Sequence, residues 1–203
     1  MMIRRPIVAF AIFSLLASAP ALASAQAGTD HMHHMGPDIV IPNGALYTKA
    51  DVEFMQGMIA HHAQAIVMSR LAEKNGANPQ VLKLSRKIDQ SQVPEILIMQ
   101  QWLRRHDQFA PDTAAWHNMR MDGMLTDEEI TELDWSKGVA FDRAFLTGMI
   151  KHHEGALKMV DELFKVKGAG QEVDANVFAN DVVTAQTGEI GIMRRLLAQL
   201  PPK

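Results

Sequence analysis

Two histidine pairs, His61-His62 and His152-His153, lie 91 positions apart (152 − 61) inside segments that repeat each other. The stretch Phe54-Met55-Gln56-Gly57-Met58-Ile59-Ala60-His61-His62-Ala63-Gln64-Ala65-Ile66-Val67-Met68 returns as Phe145-Leu146-Thr147-Gly148-Met149-Ile150-Lys151-His152-His153-Glu154-Gly155-Ala156-Leu157-Lys158-Met159, with Phe, Gly-Met-Ile, His-His, Ala and Met at identical spacing. A second pair of stretches keeps the frame Gln-x-x-Glu-Ile-x-x-Met, so that Gln92, Glu95 and Met99 answer to Gln186, Glu189 and Met193 at an offset of 94 (189 − 95). Imidazole, carboxylate, carboxamide and thioether groups gathered in this way are donors for a transition metal. Self-similarity over this length means two copies of one helical hairpin, with three residues inserted in the second hairpin's loop.

The elements that must position these groups are long helices. Thr48 is an N-cap with Asp51 in the capping-box position, opening a helix over about 49–74. Asp51, Phe54, Met55, Met58, His61, His62, Ala65 and Met68 share one face of it, while Glu53, Gln56, Gln64, Arg70 and Lys74 lie elsewhere. Asn78-Pro79 starts a second helix, whose inner face carries Val81, Leu84, Ile88, Gln92, Glu95, Met99 and Leu103 and whose outer face carries Lys83, Lys87, Gln101, Arg104 and Arg105. Pro94 and its counterpart Gly188 precede the two inward glutamates, predicting a kink at Pro94 that either loosens the backbone near the site or accommodates packing.

Thr126-Asp127-Glu128-Glu129 opens a short crossover helix to about 135. A third long helix over about 139–166 puts Asp142, Phe145, Leu146, Met149, His152, His153, Ala156 and Met159 on one face, and Gly168 and Gly170 end it. A fourth over about 173–200 turns Phe178, Val182, Gln186, Glu189, Met193, Leu196 and Leu200 inward. The fold class is therefore all-α: an antiparallel four-helix bundle of two duplicated hairpins with a short crossover helix. Repeat one occupies 48–108, the crossover 109–138 and repeat two 139–200, within a bundle domain of 48–203.

Four inward histidines and two inward glutamates admit two explanations. One is an internal His-Glu and His-Gln hydrogen-bond network that fixes helix register. The other is metal binding by His61, His62, His152 and His153 with Glu95, Glu189, Gln92, Gln186 and the flanking Met58, Met149, Met99 and Met193. An unpaired buried polar group costs about 1–3 kcal/mol, which favours a ligand for any donor the network leaves over. No Glu-x-x-His motif occurs in either hairpin, and Asp51 and Asp142 precede the histidine pairs by ten residues, about 15 Å of helix, so a di-iron carboxylate centre is disfavoured. Histidine supports Cu(II) and methionine Cu(I), making copper the best match, with zinc or iron as alternatives.

The paired Phe-x-x-x-Met-Ile-x-His-His-x-x-Ala and Gln-x-x-Glu-Ile-x-x-Met segments, four matches in the right order over about 48–200, resemble the domain-of-unknown-function 305 family of secreted bacterial proteins. The resemblance implies a ferritin-like four-helix bundle and, for some members, periplasmic copper binding.

The remaining segments fit an exported protein. Residues 1–25 carry Arg4 and Arg5, an apolar run from Ile7 to Ala17 and the small residues Ala23-Ser24-Ala25, the pattern of a cleaved secretory signal peptide and too short to span a bilayer. Removing it leaves 178 residues (203 − 25), 18 basic against 23 acidic, with 12 methionines and no cysteine. That composition supplies no thiolate ligand, no basic patch for nucleic acid and no later membrane span. Residues 26–47 read as a flexible tail bearing His31-Met32-His33-His34-Met35, either a chance cluster or a metal-capturing tract. Met119, Met121 and Met124 in the crossover are either packing residues or soft-metal contacts.

The expected function is a periplasmic metal-binding protein that holds copper for sequestration, tolerance or transfer, its partners the ion and a periplasmic copper donor or acceptor protein. A redox metal oxidase centred in the bundle, and a metal-free structural or interaction module, are the alternatives.

Overall fold

Four helices of 26 to 28 residues build the molecule: α1 (Lys49–Lys74), α2 (Pro79–Arg105), α4 (Gly138–Lys165) and α5 (Val173–Gln199), with the nine-residue α3 (Asp127–Trp135) in the crossover. The computed structural model describes residues 36–202, so the expected signal peptide and the tract His31, His33, His34 lie outside the described residues. Thr48 and Asp51 form the expected capping box of α1, and Thr126 and Glu129 that of α3. Asn78 caps α2, accepting from the Gln80 and Val81 amides ahead of Pro79. Helix α2 runs uninterrupted through Pro94.

Each hairpin packs on itself, α1 on α2 and α4 on α5, and the hairpins meet through α1 with α4 and α2 with α5. The end contacts show that these neighbours are antiparallel. At the start of α1, Asp51 accepts from the Gly170 amide just after α4 (2.7 Å). Near the start of α4, Asp142 accepts from the Asn78 amide just after α1 (3.1 Å) and from its side chain (2.7 Å). The Trp102 indole near the end of α2 donates to Glu172, the N-cap of α5 (2.7 Å). Each inward aspartate thus ties the loop of the other hairpin, accounting for two buried carboxylates that stand well away from the histidines.

The apolar core falls into two clusters. One holds Phe54, Met58, Ile96, Met99, Trp102, Met119, Met124, Ala156, Met159, Phe178 and Val182. The other holds Ala65, Met68, Ile88, Leu125, Phe145, Met149, Ile190 and Met193. On every long helix the change of cluster falls beside the polar positions: about His61 and His62 on α1, Gln92 and Glu95 on α2, His152 and His153 on α4, Gln186 and Glu189 on α5. A polar layer crosses the bundle between two greasy halves.

Helix α1 departs from the expected one-sided burial. Gln56 and Gln64, placed on its outer face by periodicity, are buried. The crossover lies over that face: Gln56 donates to the Phe109 carbonyl (2.8 Å), and Gln64 both donates to the Leu125 carbonyl (2.9 Å) and accepts from the Leu125 amide (2.8 Å). A helix covered on all sides shows no clean amphipathic stripe. The crossover also contains a 3-10 helix, Thr113–Asn118, that sequence periodicity does not predict. The described part of the expected tail packs on the bundle, with Tyr47 buried and Ile39 and Ile41 against the first cluster.

Candidate metal centre

All four histidines are fully buried, two delivered by α1 and two by α4. The inner pair, His61 and His152, lies ring against ring with centroids 3.8 Å apart and planes inclined at 43°. The outer pair each meets a glutamate of its own hairpin. His62 Nε2 stands 2.7 Å from Glu95 Oε2, and His153 Nε2 stands 2.9 Å from Glu189 Oε2. An ionised carboxylate only accepts, so in both cases Nε2 carries the proton and donates it to the hydrogen bond. His61 Nε2 faces the Asp122 carbonyl oxygen at 3.3 Å and donates likewise.

In the neutral form of each of these three rings the proton is therefore on Nε2 and the lone pair on Nδ1. Among the described residues Nδ1 of His61, His62 and His153 is buried without a hydrogen-bond partner, and both ring nitrogens of His152 are buried with no side-chain partner, the His61 backbone being the polar group beside that ring. The carboxamide of Gln186 is unpartnered at both ends and that of Gln92 at Oε1. So many orphaned donors and acceptors in one layer, each costing about 1–3 kcal/mol, call for an occupant or a catalytic use. An imidazole whose Nε2–H is held by a carboxylate and whose other nitrogen is bare matches the carboxylate–histidine–metal arrangement, in which the outer carboxylate orients the ring and strengthens it as a ligand.

Electrostatics keep the inner pair neutral. Burial, followed by the neighbouring His62, lowers the His61 pKa to about 3, the Asp122 hydrogen bond opposing the shift. Burial, then His61 and the other two histidines, pushes His152 well below the ordinary imidazole value. Burial alone would raise the Glu189 carboxyl, but the His153 hydrogen bond and charge and the nearby Lys87 outweigh it and hold the pKa below the usual carboxylate value. Neutral imidazole and ionised carboxylate are the forms that ligate metal.

The sequence-predicted residues divide in three. His61, His62, His152, His153, Gln92, Gln186 and Glu189 are brought to one buried layer, and Glu95 reaches it with its side chain 26 % exposed. Met58 and Met99 belong to one apolar cluster and Met149 and Met193 to the other, all four buried, so each greasy half carries two thioethers within a helical turn of the layer. His31, His33 and His34 lie outside the described residues. Oε2 of each glutamate accepts from a histidine, because a carboxylate beside a buried imidazole N–H lowers its own desolvation cost by bonding it. Among the described residues no three His, Asp or Glu side chains are grouped to hold an ion as they stand. A centre here needs the imidazoles to turn or a thioether to complete the set.

Three contributors escaped the sequence. Lys87, assigned to the outer face of α2, reaches across to α5 and pairs with Glu189 Oε1 at 3.3 Å. Asp122 contributes a backbone oxygen, which no side-chain pattern reveals. Gln64 fastens the crossover beside His61, and the one signal for it was the mismatch with its repeat counterpart Gly155.

A family model described as Domain of unknown function (DUF305) matches residues 51–197. The fold is similar to that of a DUF305 fragment from Deinococcus radiodurans, 28% identical with a TM-score of 0.65, the match covering 76% of this chain and 99% of that one. It is also similar to a DUF305 protein of Streptomyces coelicolor described as secreted, 29% identical with a TM-score of 0.64, covering 74% of this chain and 93% of that one. A third similar structure is CopM in its Cu(I)-bound form, 26% identical with a TM-score of 0.57, covering 71% of this chain and 93% of that one. CopM has also been solved with Cu(II) and with silver. No curated protein matches the chain. No helix among the described residues is long and apolar enough to cross a membrane.

Proposed function

This chain belongs to the DUF305 family, and on that premise we propose that it is an exported metal-binding protein, copper being the ion its donors suit best, which sequesters the ion or passes it on in the bacterial periplasm. The observation that carries this assignment is the set of bare, buried Nδ1 atoms on His61, His62 and His153, each ring held at Nε2 by an acceptor, beside a His152 whose buried nitrogens meet no side-chain partner among the described residues. The four imidazoles are the primary ligands. Glu95 and Glu189 orient His62 and His153 from behind. Met58, Met99, Met149 and Met193 are the thioethers within reach of the layer, and a mixed imidazole–thioether set suits Cu(I) in a chain without cysteine. The copper-bound CopM structures support the choice of metal by likeness. Ligand exchange, not turnover, is the mode of action: three of the four rings are already oriented, and the inner pair is held neutral by burial.

The test is metal analysis of the exported protein together with a Cu(I) competition titration of three proteins. These are the wild type, a His61/His62/His152/His153→Ala variant and a Glu95/Glu189→Gln variant. Copper present in the wild type, lost in the histidine variant and held about 10–100-fold more weakly in the glutamine variant is the expected result. Undiminished binding without the histidines would make the polar layer a structural network and overturn the assignment.

A further inference from the structure

The two His–Glu pairs are related by the duplication, yet their surroundings differ in charge. On one side His153 and Glu189 are buried, and Glu189, only 3 % exposed, shares its carboxylate between His153 at Oε2 and Lys87 at Oε1. Lys87 comes from the opposite hairpin and is itself 59 % exposed. It borders a groove of about 830 Å³ lined by α2 and α5, with Lys83, Arg86, Ile192 and Leu196, so it can swing into solvent without leaving a hole in the core. On the other side His62 meets Glu95, whose side chain is 26 % exposed and, among the described residues, pairs with no lysine or arginine. The repeat offset of 94 maps Glu189 onto Glu95 (189 − 94) and Lys87 onto Asp181 (87 + 94). Where one half has a lysine over its glutamate, the duplication puts a surface aspartate at the matching position of the other.

Resting on the metal-binding assignment above, we propose that Lys87 is a built-in competitor cation that holds the His153–Glu189 half of the layer out of use, so that the first ion is taken at the His62–Glu95 half. A cation approaching His153 meets a carboxylate already neutralised by an ammonium group and must displace it. A cation approaching His62 meets an uncompensated, partly open carboxylate. Both halves use the same histidine and glutamate side chains, and Lys87, outside the repeat motif, is the charge that one half has and the other lacks among the described residues. Lys87 is a positioning residue: it acts on the ion through Glu189.

Ag(I), redox-inert and soft, serves as the probe, titrated into the full mature chain in chloride-free buffer while imidazole nitrogen resonances report His62 and His153 separately. In the wild type His62 responds at about fivefold lower free Ag(I) than His153, the upper end of what one partly exposed ion pair contributes. In Lys87→Met the two respond within about twofold of each other, Lys87→Arg restores the order, and Glu189→Gln in the Lys87→Met background removes the gain at His153. The order persisting in Lys87→Met, or His153 responding first in the wild type, would overturn the competitor role while leaving metal binding intact. If no imidazole responds in any variant, the metal-binding assignment itself falls, and the competitor role with it. Circular dichroism of each variant establishes that the helices persist.

Discussion

Replacing Gly155 by alanine tests whether the crossover is seated on α4. A Cβ at this position would overlap the Asp122 carbonyl oxygen and lie 2.6 Å from its carbon and 2.8 Å from Gly123 Cα. The obstacle is backbone, and Gly123 has φ of +82°, so the loop cannot yield by a side-chain rotation. The Asp122–Leu125 segment must lift. Overpacking of this kind costs about 1–3 kcal/mol. Lifting also strains the bond from His61 to Asp122 and the two between Gln64 and Leu125, each contributing about 1 kcal/mol. Against this, alanine in a helix interior gains about 1 kcal/mol over glycine. The net expectation is a loss of about 1–3 kcal/mol.

Gly188→Ala is the internal control, because nothing lies within 4 Å of its added methyl. There the helix-propensity gain of about 0.5–1 kcal/mol stands alone. Two chemically identical substitutions should therefore separate by roughly 2–4 kcal/mol in denaturant unfolding, or by roughly 5–15 °C in Tm for a chain of this size. Hydrogen exchange supplies the local readout: the Leu125 amide, which bonds to Gln64, should lose protection in Gly155→Ala and keep it in Gly188→Ala. If both variants gain stability alike, the crossover does not rest on α4, and the anchoring of His61 through Asp122 goes with it.

The other predictions concern the inward aspartates and pH. Asp142→Ala strands the Asn78 amide and side chain, and Asp51→Ala strands the Gly170 amide, so each should cost about 2–3 kcal/mol in denaturant unfolding. Metal stoichiometry should stay unchanged in both, and a lost ion in either would place that aspartate in the centre. For the metal-free protein, His61 with a pKa of about 3 and His152, pushed by burial well below the ordinary imidazole value, remain neutral when folded, whereas their unfolded forms protonate near 6.5. The unfolded state therefore binds more protons between those values, and stability falls as pH drops from 6.5 towards 3, by up to about 1.4 kcal/mol per pH unit for each ring. Glu189, whose folded pKa is lowered, contributes stability above the ordinary carboxylate value that is lost only as pH falls through the folded one, so it adds nothing to the change above pH 5. Unfolding at pH 7.5 and pH 5 should differ by about 2–4 kcal/mol, and His152→Phe should roughly halve that difference; a flat profile would contradict the burial of the pair.

What could be read in the sequence follows from what repeats. Thr48, Asp51, Asn78, Pro79, Thr126 and Glu129 act through bonds three residues away, so the helix starts were legible without tertiary context. The inward stripe of α5 was legible because that helix has one exposed side, and Val182, Gln186, Glu189 and Met193 are all buried. Periodicity failed on α1 because a second layer, the crossover, covers the side that solvent would otherwise occupy, and nothing local distinguishes a glutamine facing water from Gln64 facing a loop backbone. Lys87 failed for a different reason: its Cα lies on the outer face, but a four-carbon stem carries its charge to Glu189 on another helix. The polar layer itself was visible as residue types. Its hydrogen-bond directions were not, because they depend on which ring nitrogen meets which oxygen across helices.

Those directions give the duplicated histidines unequal duties. His61 and His152 occupy matching positions, but the crossover exists once, and it supplies a carbonyl to His61 alone. His62 and His153 are each clamped by a glutamate. Three rings are thus held from behind by a hydrogen bond, whereas the fourth, His152, has only the His61 backbone as a polar neighbour, although all four are equally buried. That ring is also the one stacked against His61 at 3.8 Å. No three groups are disposed to hold an ion among the described residues as they stand. The least constrained adjustment is therefore rotation of His152 about its own side chain, which gives up only its contact with the His61 backbone, while turning any of the other three breaks a bond to a carboxylate or to the crossover. The segment that was not duplicated thus breaks the symmetry of the repeat: it bonds His61 and leaves the matching His152 without an equivalent carbonyl.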